Sequence, residues 1–233
     1  MGRVIREVCA DTLNSAITAD IYGAERIELC QGLSDDGLTP SPALTKYCCE
    51  NLHLDVCVLI RPRGGDFCYN EKEYQLIKDD VLFCKEAGAE AVVVGFLSPD
   101  GEVEKDRLKE IVEISAPMDV VFHRAFDYTA DQAKALEELI ECGCKRVLTS
   151  GGAKSALEGA DSLRKLNEQA AGRIEILAGG GVSAENVAEI IGVSGCNQVH
   201  FSGKHTITGH RGRKHTETDP EAVKAIKEIT DRL

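Results

Sequence analysis

A closed (β/α)₈ TIM barrel is the fold class the sequence predicts, and three observations predict it. Short apolar runs alternate with longer helical patterns along all 233 residues, eight of each. A helix stop followed by a strand recurs in GAERIEL, GAEAVVV and GCKRVLT, where Gly23, Gly88 and Gly143 each stand about three residues ahead of an apolar run. No Pro/Gly/Ser linker and no shift of composition divides the chain, so residues 1–233 read as a single α/β domain. Eight β–α units in one domain suit a barrel better than a doubly wound sheet, and no G-x-G-x-x-G follows the first run.

Strands are expected over 4–9, 26–30, 54–61, 91–95, 119–123, 146–150, 174–178 and 198–201. Helices are expected over 12–22, 42–51, 71–87, 104–115, 130–142, 155–170, 183–192 and 220–232. The first two strands, IREVC and RIELC, both end Glu-x-Cys. Residues two apart in a strand share a face, so neighbouring strands bring Glu7, Cys9, Glu28 and Cys30 to one rim. The third helix opens on Asn70-Glu71-Lys72-Glu73, a capping-box pattern, the seventh on Ser183, and the last on Asp219-Pro220, a cap before proline. Strand interiors rich in Val, Ile, Leu and Ala are expected to fill the barrel.

A formal charge of −12 argues against a nucleic-acid partner, whose affinity rests on clustered Lys and Arg. No apolar run approaches the roughly 20 residues that cross a bilayer, so no membrane partner is expected. The opening MGRVIREVCAD carries an acid and an arginine where a signal peptide would be apolar, which points to the cytoplasm. There thiols stay reduced, and most of the ten cysteines, among them Cys48, Cys49, Cys57, Cys84, Cys142, Cys144 and Cys196, read as small hydrophobes.

In a barrel, function belongs at the carboxyl ends of the strands. That rule collects Glu7 and Cys9, Glu28 and Cys30, Arg61 with Arg63 and Asp66, His123 with Arg124 and Asp127, Ser150 and Gly151, Gly179 to Gly181, and His200 with Ser202.

The segments REVC, RIELC, GLTPS, IRPRGGDF-x-Y, FHRAFD, RVLTSGG, AGGGV and VH-x-S resemble the CutC family, from Glu7 to Ser202. The resemblance implies a TIM barrel, a cytoplasmic location, homo-oligomers and a role in copper homeostasis. One departure is Ser34-Asp35-Asp36-Gly37, where a double glycine is expected before Leu38.

Two functions follow. Copper(I) is soft and prefers thiolates, so Cys9 and Cys30 are its expected ligands, with the copper ion as partner. The alternative is a lyase or isomerase acting on a small anionic ligand. Arg61, Arg63, Arg124 and the Gly179–Gly181 turn would hold a phosphate or carboxylate, Glu7 or Glu28 would act as base, and His123 as acid. No lysine stands at a strand end, which disfavours a Schiff base; Lys204 is the nearest. A harder divalent metal on Glu7, Glu28, His123 and His200 is a variant. The stretch 204–216, with His205, His210 and His215, reads as a solvated loop.

Overall fold

The computed structural model describes residues 3–233. Strand β1 (Ile5–Ala10) leads through α1 (Leu13–Tyr22) to β2 (Arg26–Leu29), α2 (Pro42–Asn51), β3 (Asp55–Leu59) and α3 (Glu71–Ala87). The alternation continues with β4 (Ala91–Val94), α4 (Lys105–Ser115), β5 (Asp119–Phe122), α5 (Gln132–Cys142), β6 (Arg146–Thr149) and α6 (Ala160–Ala170). It ends with β7 (Glu175–Gly179), α7 (Val187–Ser194), β8 (Gln198–Phe201), a hairpin of β9 (Lys204–Thr208) and β10 (Lys214–Thr218), and α8 (Pro220–Thr230). Strands β1 to β8 are parallel and pair in sequence order, and β8 returns to β1 with His200 opposite Glu7.

Local chemistry sets the element ends. Gly23, Gly88 and Gly143 all adopt the left-handed conformation that stops α1, α3 and α5. Asn70 and Glu73 form the reciprocal capping box, the Asn70 side chain accepting from the N–H groups of Lys72 and Glu73. Helix α7 starts later than its sequence pattern suggests. Ser183 does not cap it; its own N–H donates to Asn186 Oδ1, and turns occupy the intervening residues. The stretch after β8 is a ladder rather than a loop, with His205 opposite Glu217 and His215 opposite Ile207.

Alternation along the strands divides the apolar residues into two clusters. Val8, Ile27, Leu29, Val58, Val92, Val94 and Phe122 pack outward with helix residues such as Ile77, Leu108, Leu136 and Leu163. Burying each large side chain here contributes about 1.5–3 kcal/mol. Inside the barrel the apolar cluster is small: Cys9, Cys30, Cys57, Leu59, Ala91, Val93 and Val121. The expectation of an aliphatic barrel interior is therefore corrected. The Val and Ile of the strands mostly face the helices, and much of the interior is charged.

Candidate functional site

Towards the N-terminal ends of the strands, Arg26 donates to Glu7 Oε2 at 2.5 Å and to Gln198 Oε1 at 2.7 Å. Gln198 in turn donates to Glu175 Oε2 at 2.8 Å, and Arg146 approaches Glu175 at 3.5 Å. Arg26, Arg146, Glu7 and Gln198 are each under 6% exposed. Buried charges must be paired to be tolerated, and these are. Sequence reading missed Arg26, Arg146, Glu175 and Gln198 as a network. A signal was present for two of them, because Arg26 and Gln198 each open a strand two residues before another polar position, as in Arg26-x-Glu28-x-Cys30 and Gln198-x-His200-x-Ser202.

The rim cluster stands above this plug. Glu7 Oε1 accepts from His200 Nδ1 at 2.8 Å, and His200 Nε2 lies 3.7 Å from Glu28 Oε2. Cys9 Sγ is 3.8 Å from Cys30 Sγ. Ligand atoms of Cys9, Glu28 and His200 all fall within 4.8 Å of one another. Burial works against charging Glu7, but Arg26 and His200 outweigh it and hold the carboxyl down at about 2. The same Glu7 carboxylate is thus occupied by two cationic partners and is poorly placed to accept a proton as a base. Burial pushes the Glu28 carboxyl up instead, so the two glutamates differ in character. Burial also opposes a charge on His200, yet Glu28, Cys9 and Glu7 raise it well above the ordinary imidazole value. The hydrogen bond with Cys30 and burial keep Cys9 a thiol.

These groups form one wall of a cavity of about 330 Å³ at the barrel mouth. Cys9, Glu28 and His200 line it from β1, β2 and β8, His123, Arg124, Gly180, Gly181 and Ser202 from the segments that follow the strands, and Lys204 from the start of β9. Cys30 is fully buried behind Cys9. His123 sits over Gly95, where an added Cβ would fall 2.3 Å from the imidazole Cε1, so glycine is what leaves space for the ring. Its Nδ1 accepts from the Ala125 N–H at 3.1 Å, which leaves the proton on Nε2. Burial, helped by Arg61, pushes His123 down to about 3. His123 is therefore a neutral donor near pH 7, with its proton on Nε2.

Arg124 donates to Asp127 Oδ2 at 2.8 Å and to Ser150 Oγ at 3.1 Å. Asp127 also accepts from Thr149 Oγ1 and from the N–H groups of Ser150 and Gly152, tying the loop after β5 to the loop after β6. Arg61 lines the cavity, but its terminal nitrogens donate to the carbonyls of Asp35, Gly37 and Gly65. Its guanidinium lies 5.2 Å from the Phe67 ring centroid.

Other predicted residues fall outside the cavity wall. Arg63 pairs with Asp66 at 2.9 Å and with Glu73 at 2.6 Å, so its fork closes a loop instead of facing the mouth. Gly151 donates to Thr149 Oγ1 and packs beneath Gly159. Gly179 lies inside the barrel, where an added Cβ would come 2.5 Å from Leu148 Cδ1. The divalent-metal set is not assembled as expected: Cys9 stands with Glu28 and His200, whereas Glu7 and His123 are outside the cluster. Asp36, at the departure from the double glycine, lines the cavity with φ 61°, a left-handed conformation that Asp tolerates better than most residues.

Fold and site together define a (β/α)₈ barrel whose mouth carries a thiol, imidazole and carboxylate cluster. The sequence model of the CutC family matches residues 4–205, and the chain belongs to that family. It is 43% identical over 202 residues to the copper homeostasis protein cutC homolog of Homo sapiens, an alignment covering 87% of this chain and 74% of that protein. A CutC family protein of Xylella fastidiosa (strain 9a5c) is 43% identical over 211 residues, covering 91% and 79%. The crystal structure of CutC from Streptococcus agalactiae superposes with a TM-score of 0.81 at 33% identity, covering 85% of this chain and 98% of that one. Phosphoribosylanthranilate isomerase from Pyrococcus furiosus, at 15% identity and a TM-score of 0.62, shares the fold.

Proposed function

We propose that this protein takes part in copper homeostasis by binding Cu(I) at the barrel mouth, with Cys9 and Cys30 as thiolate ligands. One observation carries the reading: the two sulfurs approach to 3.8 Å on adjacent strands, with Cys9 on the wall of an open cavity. Soft thiolates select Cu(I), and His200 stands beside Cys9 as a third donor once it gives up its proton. Glu28 is a hard ligand and adds little to a soft ion. The copper homeostasis names of the relatives support the same ion. Copper is cargo in this reading, and a reduced cytoplasm keeps both thiols available.

Binding must displace the thiol protons, so the apparent affinity rises with pH. The test is an anaerobic Cu(I) titration of the reduced protein against a chromogenic competitor, wild type beside Cys9→Ser/Cys30→Ser. One tight equivalent, lost in the double variant, is the expected result. Weak binding, or binding indifferent to the two substitutions, would overturn the assignment.

A further inference from the structure

The cavity lining holds several donors for which no described residue supplies an acceptor. His123 Nε2 and Arg61 Nε, on residues 5% and 3% exposed, have no hydrogen-bond partner among the described residues. Arg124 commits Nε and Nη2 to Asp127 and Ser150, leaving Nη1 without an acceptor among the described residues. The N–H groups of Gly180 and Gly181, both at positive φ, likewise find no acceptor among the described residues. All five of these residues line the one cavity.

Buried donors are normally satisfied, and a set of them around one space marks a place where an acceptor belongs. Arg124 is held rigidly, because Asp127 is itself fixed by Thr149, Ser150 and Gly152. Lys204 adds a further cation to the cavity lining, against the carboxyls of Glu28 and Asp36. Donors and cations in excess call for oxygen acceptors with negative charge. A volume of about 330 Å³ limits the guest to a compact molecule.

We infer that the cavity binds a small organic anion, with a carboxylate or phosphate on Arg124 Nη1 and the Gly180–Gly181 amides, and a second oxygen on the Nε2–H of His123. The site is independent of copper, since none of its donors is a thiol. Arg61 Nε lies within the same wall and takes any remaining oxygen. The guest's charge faces the loops that follow β5 and β7.

Isothermal titration calorimetry on the metal-free, reduced full chain tests this with inorganic phosphate, 2-phosphoglycolate and malonate. At least one of the two organic anions should saturate with a Kd of about 1 mM or tighter. Preference for 2-phosphoglycolate identifies a phosphate ester, and preference for malonate a carboxylate. Arg124→Gln should weaken binding about tenfold or more. His123→Asn, which keeps an acceptor for the Ala125 N–H and deletes Nε2–H, should weaken it several-fold. Arg124→Lys retains charge if the glutamine variant does not fold, and should bind more weakly than wild type. The titration is run without copper and its variants leave Cys9 and Cys30 intact, so failure of the copper assignment leaves this site standing. Absence of saturation by all three probes overturns the proposal, as does inorganic phosphate binding as well as both organic anions. Affinity unchanged in the Arg124 and His123 variants overturns it too.

Discussion

The N-terminal end of the barrel interior and its C-terminal mouth use the same kinds of side chain, an arginine or two, glutamates and a histidine or glutamine, with opposite results. In the plug, Arg26 meets Glu7 and Gln198, and Gln198 meets Glu175, so most donors and acceptors are matched. Arg146 Nε is the exception there. At the mouth, His123 Nε2 and Arg61 Nε are unmatched among the described residues, Glu28 is pushed up by burial, and His200 is shared between two carboxylates. Matched buried charge gives a fixed scaffold. Unmatched buried polarity costs stability, and in a cavity it is the signature of a ligand.

The sharpest way to break this distinction is to remove one arginine from each region. Arg26→Met leaves Glu7 and Gln198 buried without their partner and should cost about 3–5 kcal/mol in urea unfolding. Arg124→Met, with its side chain 42% exposed, should cost about 1 kcal/mol. Equal losses would erase the difference between plug and mouth.

Acid titration separates the two regions next. His123 is held down at about 3 in the folded protein against 6.5 unfolded, so the unfolded chain takes up the proton first and stability falls as pH drops from 6.5 towards 3. Glu7, held at about 2 against 4.5, gives stability that is present above 4.5 and lost as pH falls towards 2. Each group contributes a slope of at most about 1.4 kcal/mol per pH unit. His123→Asn should flatten the upper part of the acid limb and leave the lower part, a pattern read from denaturation at stepped pH. A wild-type slope between pH 6.5 and 5 that survives the substitution would assign it elsewhere.

Cys9→Ser/Cys30→Ser should change stability by only about 1–2 kcal/mol while removing Cu(I) binding, because the pair closes no network in the plug. A large thermal destabilisation of the metal-free double variant would make the thiols scaffold and not site. The smallest effect is at Asp36. Its left-handed backbone should make Asp36→Gly stabilising by about 0.5–1 kcal/mol in the same unfolding assay.

Much of the barrel was legible locally. Gly23, Gly88 and Gly143 stop helices by a backbone preference that needs no tertiary information, and strand-end positions were found by the rule that barrels act at their carboxyl ends. The hairpin β9–β10 was missed because KHTITGHRGRKHT is polar or glycine except for Ile207, and a single apolar residue gives no alternation to detect. The late start of α7 was missed because Ser183 looks like a cap, whereas Asn186 takes its N–H. At the site, Arg61 and Arg124 are the same residue type at equivalent strand ends. Which nitrogen lacks a partner among the described residues, Nε of Arg61 or Nη1 of Arg124, depends on loop carbonyls in the one case and on Asp127 and Ser150 in the other.

The order of strands and helices, the outward apolar faces and the gathering of Glu7, Cys9, Glu28, Cys30, His123 and His200 towards one end were determined by the sequence. Period-two and period-3.6 patterning and the caps act over a few residues, and those distances are visible in one dimension. Tertiary structure alone decided that Glu7 is spent on Arg26 and His200, that burial pushes the Glu28 carboxyl up, and that His123 is a neutral donor without a partner among the described residues. Protonation and hydrogen-bond closure depend on burial and on charges a few ångströms away, and closing the barrel brings those groups together from opposite ends of the chain.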